Sequence, residues 1–162
     1  MEKVIIVDTD FLSAFLKIDK LDLIFQALET NEIIVPKNVL QELEELKNNL
    51  LYDKFLKFLN AEKNKVVIKE SDKKESSEEF GKGELECISL AEKSNALLLM
   101  DDREAGKLAK SKGVTVMEIP TFLLYCKTSN LLSKEELKKI IEELKEKDYY
   151  EFTEEIKEML LE

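Results

Sequence analysis

The residues able to do chemistry in this chain are carboxylates. Asp8 and Asp10 close the stretch VIIVDTDFL at 4–12, Asp101 and Asp102 follow LLLM at 97–100, Glu84 comes just after Gly81 and Gly83, and Glu42 lies in the run that follows Pro36. Histidine is absent, which excludes Ser-His-Asp and Cys-His catalysis, histidine general bases and histidine-ligated zinc within this chain. Cys87 and Cys126 lie far apart, each beside apolar residues and without paired ligand spacing, and read as reduced core thiols.

Four or five carboxylates meeting at one place repel one another unless a cation joins them. Oxygen-only ligands suit Mg²⁺ or Mn²⁺, which keep several waters and share their remaining positions with phosphate oxygens. Such an ion can activate water and stabilise the charge that builds up during phosphodiester cleavage. It would also draw a polyanion to a chain whose 35 acidic and 25 basic residues leave a formal charge of −10. The same balance argues against nonspecific coating of nucleic acid, which needs a basic surface.

The elements that must position these acids are visible as alternating patterns. Short continuous apolar runs at 4–7, 33–35, 66–68, 97–100 and 114–116 have strand length and the composition of strands buried on both faces. Between them, residues 21–28, 39–59, 85–91 and 105–109 carry apolar residues at helical spacing. The expected fold is α/β, a Rossmann-like three-layer sandwich with a central parallel sheet of about five strands. In such sheets ligand sites lie beyond the carboxyl ends of the strands, which is where Asp8, Asp10, Asp101 and Asp102 fall. Glu42 and Glu84 reach the same rim if their helices pack beside the central strands.

The polar segment ESDKKESSEEFGKG at 70–83 reads as a mobile loop entering a helix. After Pro120 the pattern turns helical, with a capping box at Ser133 and Glu136 and a final amphipathic stretch at 153–161. These observations divide the chain into a sheet domain at 1–128 and a helical extension at 129–162 packed on it. The extension's apolar stripe, from Leu131 to Leu144, could alternatively serve a dimer or partner interface. No apolar run approaches the roughly 18 residues of a membrane span, and no basic leader opens the chain, so a soluble, cytoplasmic protein is expected.

Taken together, four segments resemble the motifs of the PIN-domain nucleases: VDTDFLSAF, IIVPKNVLQELEEL, GKGELECISLAEK and ALLLMDDREAGKLAKSKGV. The glycine-acid-x-acid of the third, the paired acids of the fourth and the helical tail beginning LLSKEEL are most similar to the toxin-type ribonucleases of toxin-antitoxin pairs. The resemblance implies Asp8, Glu42, Glu84 and Asp101 as the catalytic cluster, with Asp8, Glu84, Asp101 and Asp102 on the metal. It further implies Mg²⁺ or Mn²⁺ dependence, an RNA substrate, a homodimer and, in that subgroup, a small antitoxin protein that blocks the site. Thr9, Asp10, Lys82 and Arg103 are the candidates for substrate contact.

Several alternatives stay open at this level. Asp10 stands where the family carries a small polar residue, and is either an auxiliary acid or a helix cap. Asp101 is preferred over Asp102 as the principal fourth acid, and Glu84 over Glu86 as the third. Glu42 sits in QELEEL, where most glutamates are solvated, and Glu84 could simply complement a helix dipole. VIIVDTDF is also similar to the opening motif of haloacid-dehalogenase phosphatases, although Phe11 is bulky for that motif and Glu42 and Glu84 would then be idle. A degenerate nuclease domain acting as an interaction module is the non-enzymatic alternative.

Overall fold

The computed structural model describes residues 3–46, 49–72 and 77–162. Five strands form one sheet, β1 (Ile5–Val7), β2 (Glu32–Pro36), β3 (Lys65–Lys69), β4 (Leu97–Leu99) and β5 (Thr115–Met117), in the order β3-β2-β1-β4-β5 with every pairing parallel. Successive side chains of a strand face opposite sides, yet Ile5, Ile6 and Val7 are all buried, so helices cover both faces. This is the α/β parallel-sheet architecture expected from the apolar runs. The strand order reverses at β1, so its carboxyl end and that of β4 flank the switch point where α/β proteins bind ligands. The register pairs Val7 with Leu99, and the Asp8 amide donates to the Leu99 carbonyl at 2.9 Å, which brings the acids after the two strands to one rim.

Two helices depart from the sequence pattern. Helix α1 (Thr9–Lys17) is not among the helical runs read from the sequence; all six residues from Phe11 to Leu16 are buried, and its polar stripe is short, Asp10, Ser13 and Lys17. Phe11 and Phe15 stack at 5.2 Å between ring centroids, and Phe122 meets both edge-on at 5.7 and 5.4 Å. The run at 39–59 is two helices, α3 (Lys37–Glu45) and α4 (Asn49–Leu59), rather than one. Asn49 opens the second, as suits a residue that favours helix ends over interiors.

The remaining helices are α2 (Leu21–Ala27), α5 (Lys82–Ser94), α6 (Arg103–Ser111), α7 (Ile119–Thr128), α8 (Lys134–Asp148) and α9 (Glu154–Leu161). Helix α5 packs over β1, β2 and β4, and touches α3 and α6, so its N-terminus is drawn to the sheet's carboxyl rim. Part of the expected loop at 70–83, residues 73–76, lies outside the described residues. The capping box at Ser133 and Glu136 forms as predicted, with bonds of 3.1 and 3.2 Å. Helix α8 packs on α1 and α7, and α9 on α7 and α8, burying Leu137, Ile140, Ile141 and Leu144 of the apolar stripe. Among the described residues no helix is long and apolar enough to cross a membrane.

Candidate active site

Asp8 stands at the N-cap position of α1, but its side chain makes no capping hydrogen bond. It is only 2% exposed, and the thiol of Cys87 donates to its Oδ1 at 3.6 Å. Burial pushes its carboxyl up to about 7; the Thr9 amide counteracts this, while the charges of Asp10, Glu84 and Glu42 add to it. The charges of three further carboxylates thus act on Asp8.

Glu42, on the second turn of α3, is held from both sides. Its Oε2 accepts from the Thr9 hydroxyl at 2.5 Å and its Oε1 from the Gly83 amide at 3.1 Å. Glu84, in the first turn of α5, accepts from the Gly81 amide at 3.3 Å through Oε1, which is half of a capping box because a glycine has no side chain to complete it. The other oxygen, Oε2, is buried and has no hydrogen-bond partner among the described residues. Burial raises the Glu84 carboxyl despite the Gly81 amide, and Asp102, Asp10 and Glu42 push it further.

The two aspartates after β4 diverge. Asp102 caps α6, accepting from the Ala105 amide at 2.9 Å, and its charge is felt by both Glu84 and Asp10. Asp101 turns toward the C-terminal region, where its Oδ1 accepts from the Ile119 amide at 2.9 Å and the Tyr150 hydroxyl at 3.1 Å. Burial lifts it to about 6 against those two donors, with Glu118 and Asp10 the charges that add to the rise. Asp102 thus acts on Glu84 and Asp10, while Asp101, on which Asp10 also acts, ties the rim to the segment after α8.

Asp10 lies inside the first turn of α1, so a capping role does not apply. Although the residue is exposed, partial desolvation raises its carboxyl, with Asp102 and Asp148 adding to the effect and Lys17 opposing it. The Thr9 hydroxyl is committed to Glu42. Lys82 and Arg103, the first residues of α5 and α6, are exposed at the two helix starts beside the acids, and neither has an ion-pair partner among the described residues.

Glu86 was legible in the sequence only as a competitor for the role of Glu84. It is buried, and both its oxygens are occupied: Oε1 accepts from the Asn38 amide at 2.9 Å and Oε2 from the Ser71 amide at 3.1 Å. It fastens the start of α3 and the end of β3 to α5. Cys87, read as a core thiol, is buried as expected, and its contact with Asp8 carried no sequence signal because the two residues lie 79 positions apart.

The donor set fits a hard divalent cation. Every acid of the cluster offers oxygen, neighbouring charges add to the rise of the Asp8 and Glu84 carboxyls, and Glu84 Oε2 is a buried acceptor without a partner among the described residues. Among the described residues no three His, Cys, Asp or Glu side chains converge closely enough to form a complete ligand group. An ion bound here would rely on one or two carboxylates with water completing its shell, as Mg²⁺ commonly does.

The acids line the switch point of a five-stranded parallel sheet, the rim where open α/β domains take their ligands. The family model for the PIN domain (DUF3368) matches residues 4–162, and the chain belongs to that family. The match takes precedence over the haloacid-dehalogenase resemblance, which rests on the opening motif. The fold is similar to that of a PilT N-terminus domain protein, SSO1118, from the hyperthermophilic archaeon Sulfolobus solfataricus P2, with TM-score 0.54 and 18% identity, covering 80% of this chain and 96% of that one. It is also similar to a domain of a functionally unknown protein from Methanocaldococcus jannaschii DSM 2661, with TM-score 0.50 and 17% identity over 72% of this chain and 91% of that one. No curated protein matches the sequence.

Proposed function

We propose that this PIN domain is a metal-dependent endoribonuclease that uses Mg²⁺ or Mn²⁺. The observation that carries the reading is the buried Oε2 of Glu84, unpartnered among the described residues, in a site where the Glu84 charge also acts on the buried Asp8. Asp8, Glu84 and Asp102 would hold the cation. Bound there, it would activate water and offset the negative charge of phosphodiester cleavage. Because Asp8 is pushed up to about 7, cation binding displaces a proton from it below that pH, and affinity rises as pH increases toward 7. Lys82 and Arg103, exposed at the starts of α5 and α6, would contact the RNA backbone, Arg103 with its planar fork. Asp10 enlarges the acid cluster at its exposed edge.

The resemblance to toxin-type ribonucleases supports a toxin role, with a small antitoxin protein as partner and a homodimer as the working form. Cleavage of an end-labelled, mixed-sequence single-stranded RNA with Mn²⁺, Mg²⁺ or EDTA tests the activity, with Asp8→Asn as the control. Metal-dependent cutting lost in the variant is the expected result. Equal cutting by the variant, or cutting that survives EDTA, would sink the assignment. Growth arrest on expression, relieved by Asp8→Asn, tests the toxin role separately.

A further inference from the structure

Glu42 differs from the other acids of the cluster in one respect: each oxygen of its carboxylate already accepts a hydrogen bond from a different chain segment. Oε2 takes the Thr9 hydroxyl at 2.5 Å, within the range of hydroxyl-to-carboxylate bonds, and Oε1 takes the Gly83 amide at 3.1 Å. Thr9 is the residue after Asp8, and Gly83 is the residue before Glu84. The same carboxylate therefore grips the two chain segments that deliver the most buried acid and the acid with the unpartnered oxygen.

Gly83 shows how close this grip is. A Cβ built at that position would lie 2.9 Å from Glu42 Cδ and 3.0 Å from Oε2, nearer than such atoms approach, and nearer still to Oε1. Gly83 has no unusual backbone requirement, being buried in the first turn of α5, where alanine is the better helix former. The glycine there is explained by the room it leaves for the Glu42 carboxylate. By contrast, Gly81 leaves its nearest neighbour, Glu84 Oε1, at 3.4 Å.

We infer that Glu42 is a positioning residue and not a ligand: its carboxylate, seated on Gly83 and bonded to Thr9, clamps the start of α5 to the start of α1 and thereby fixes the separation of Asp8 and Glu84. The inference rests on the nuclease reading of the site but assigns Glu42, Thr9 and Gly83 a role that the acid cluster alone does not require. Glutamine keeps the clamp, since its carbonyl accepts from Gly83 and its amide can donate to the Thr9 oxygen, whereas alanine removes both bonds. Both substitutions remove the same charge.

The test compares wild type, Glu42→Gln, Glu42→Ala and Gly83→Ala by calorimetric Mn²⁺ titration, RNA cleavage and hydrogen exchange at residue 83, with Asp8→Asn as the ligand-loss reference. The clamp predicts that Glu42→Gln keeps amide protection at residue 83 and binds Mn²⁺ far closer to wild type than Glu42→Ala does. Glu42→Ala and Gly83→Ala should lose protection at residue 83 and about 10- to 100-fold in Mn²⁺ affinity or activity, the size of effect seen when a ligand's supporting bond is removed. Gly83→Ala guards against misfolding as the explanation, because the group it displaces is the end of a flexible side chain. If Glu42→Gln instead loses Mn²⁺ binding as severely as Asp8→Asn while residue 83 stays protected, Glu42 is a ligand and the inference is overturned. A wild-type protein that binds no Mn²⁺ and cuts no RNA overturns the nuclease reading, and amide protection lost only in Glu42→Ala and Gly83→Ala would still establish the clamp.

Discussion

Replacing Asp8 by asparagine should make the metal-free protein more stable while it destroys cation binding. Asp8 is almost fully buried, and its carboxyl is raised from 3.8 to about 7, so carrying the charge into the fold costs roughly 4 kcal/mol above pH 7. The sign follows from linkage. Below pH 3.8 the carboxyl is protonated in folded and unfolded chains alike and nothing is lost; between 3.8 and 7 only the unfolded chain releases its proton, so folding stability falls as pH rises through that window. The experiment is urea denaturation in EDTA at pH 4, 6 and 8. The curves of wild type and Asp8→Asn should nearly coincide at pH 4 and separate by up to about 4 kcal/mol at pH 8, with the variant the more stable. Asp101, whose charge does not act on Asp8, cancels in the difference, whereas Asp10 and Glu84 are coupled to Asp8 and their relief in the variant adds to the separation. Adding Mn²⁺ at 100 times its Kd should restore about 2.7 kcal/mol to wild type and far less to the variant. A variant that is less stable than wild type at pH 8 in EDTA, or a difference that does not grow with pH, would refute the account of Asp8 as a buried charge awaiting a cation.

Further outcomes follow from particular contacts. Glu86→Ala leaves the amides of Asn38 and Ser71 without their acceptor, and should destabilise the fold by about 1–3 kcal/mol for each one that stays buried, with Mn²⁺ affinity in the folded protein unchanged. Tyr150→Phe removes a donor that favours the charged form of Asp101, so the Asp101 carboxyl, followed by NMR titration, should move above about 6; an unchanged titration would mean that the hydroxyl does not serve it. Phe122→Ala empties the position against which Phe11 and Phe15 pack, and should cost about 3–5 kcal/mol in chemical denaturation. Burial raises both cysteine thiols, Cys126 to about 12, so a thiol-reactive dye should label neither until the protein unfolds.

The fold was legible in the sequence because parallel strands buried on both faces leave unbroken aliphatic runs, and all five runs coincide with strands. Helix α1 left a shorter trace, since its polar stripe is only Asp10, Ser13 and Lys17 in an element of nine residues. The α3–α4 break was hidden for the opposite reason. Apolar spacing runs on across both helices, and only local residues such as Asn49 mark the interruption.

At the site, the sequence by itself determined the chemistry: with no histidine and acids at the ends of two strands, the donors had to be carboxylate oxygens and the natural partner a hard cation. What each acid does was decided only by the tertiary structure. Glu84 and Glu86 are two residues apart on one helix, yet one keeps a buried oxygen without a partner and the other spends both on amides from distant segments. Asp101 and Asp102 are adjacent, yet one faces Tyr150 and the other caps α6 beside Glu84. Residue type fixes what a carboxylate can bind. Which donors reach it depends on chain segments 15 to 79 positions away, and those are brought together only when the sheet is assembled and the helices dock on it.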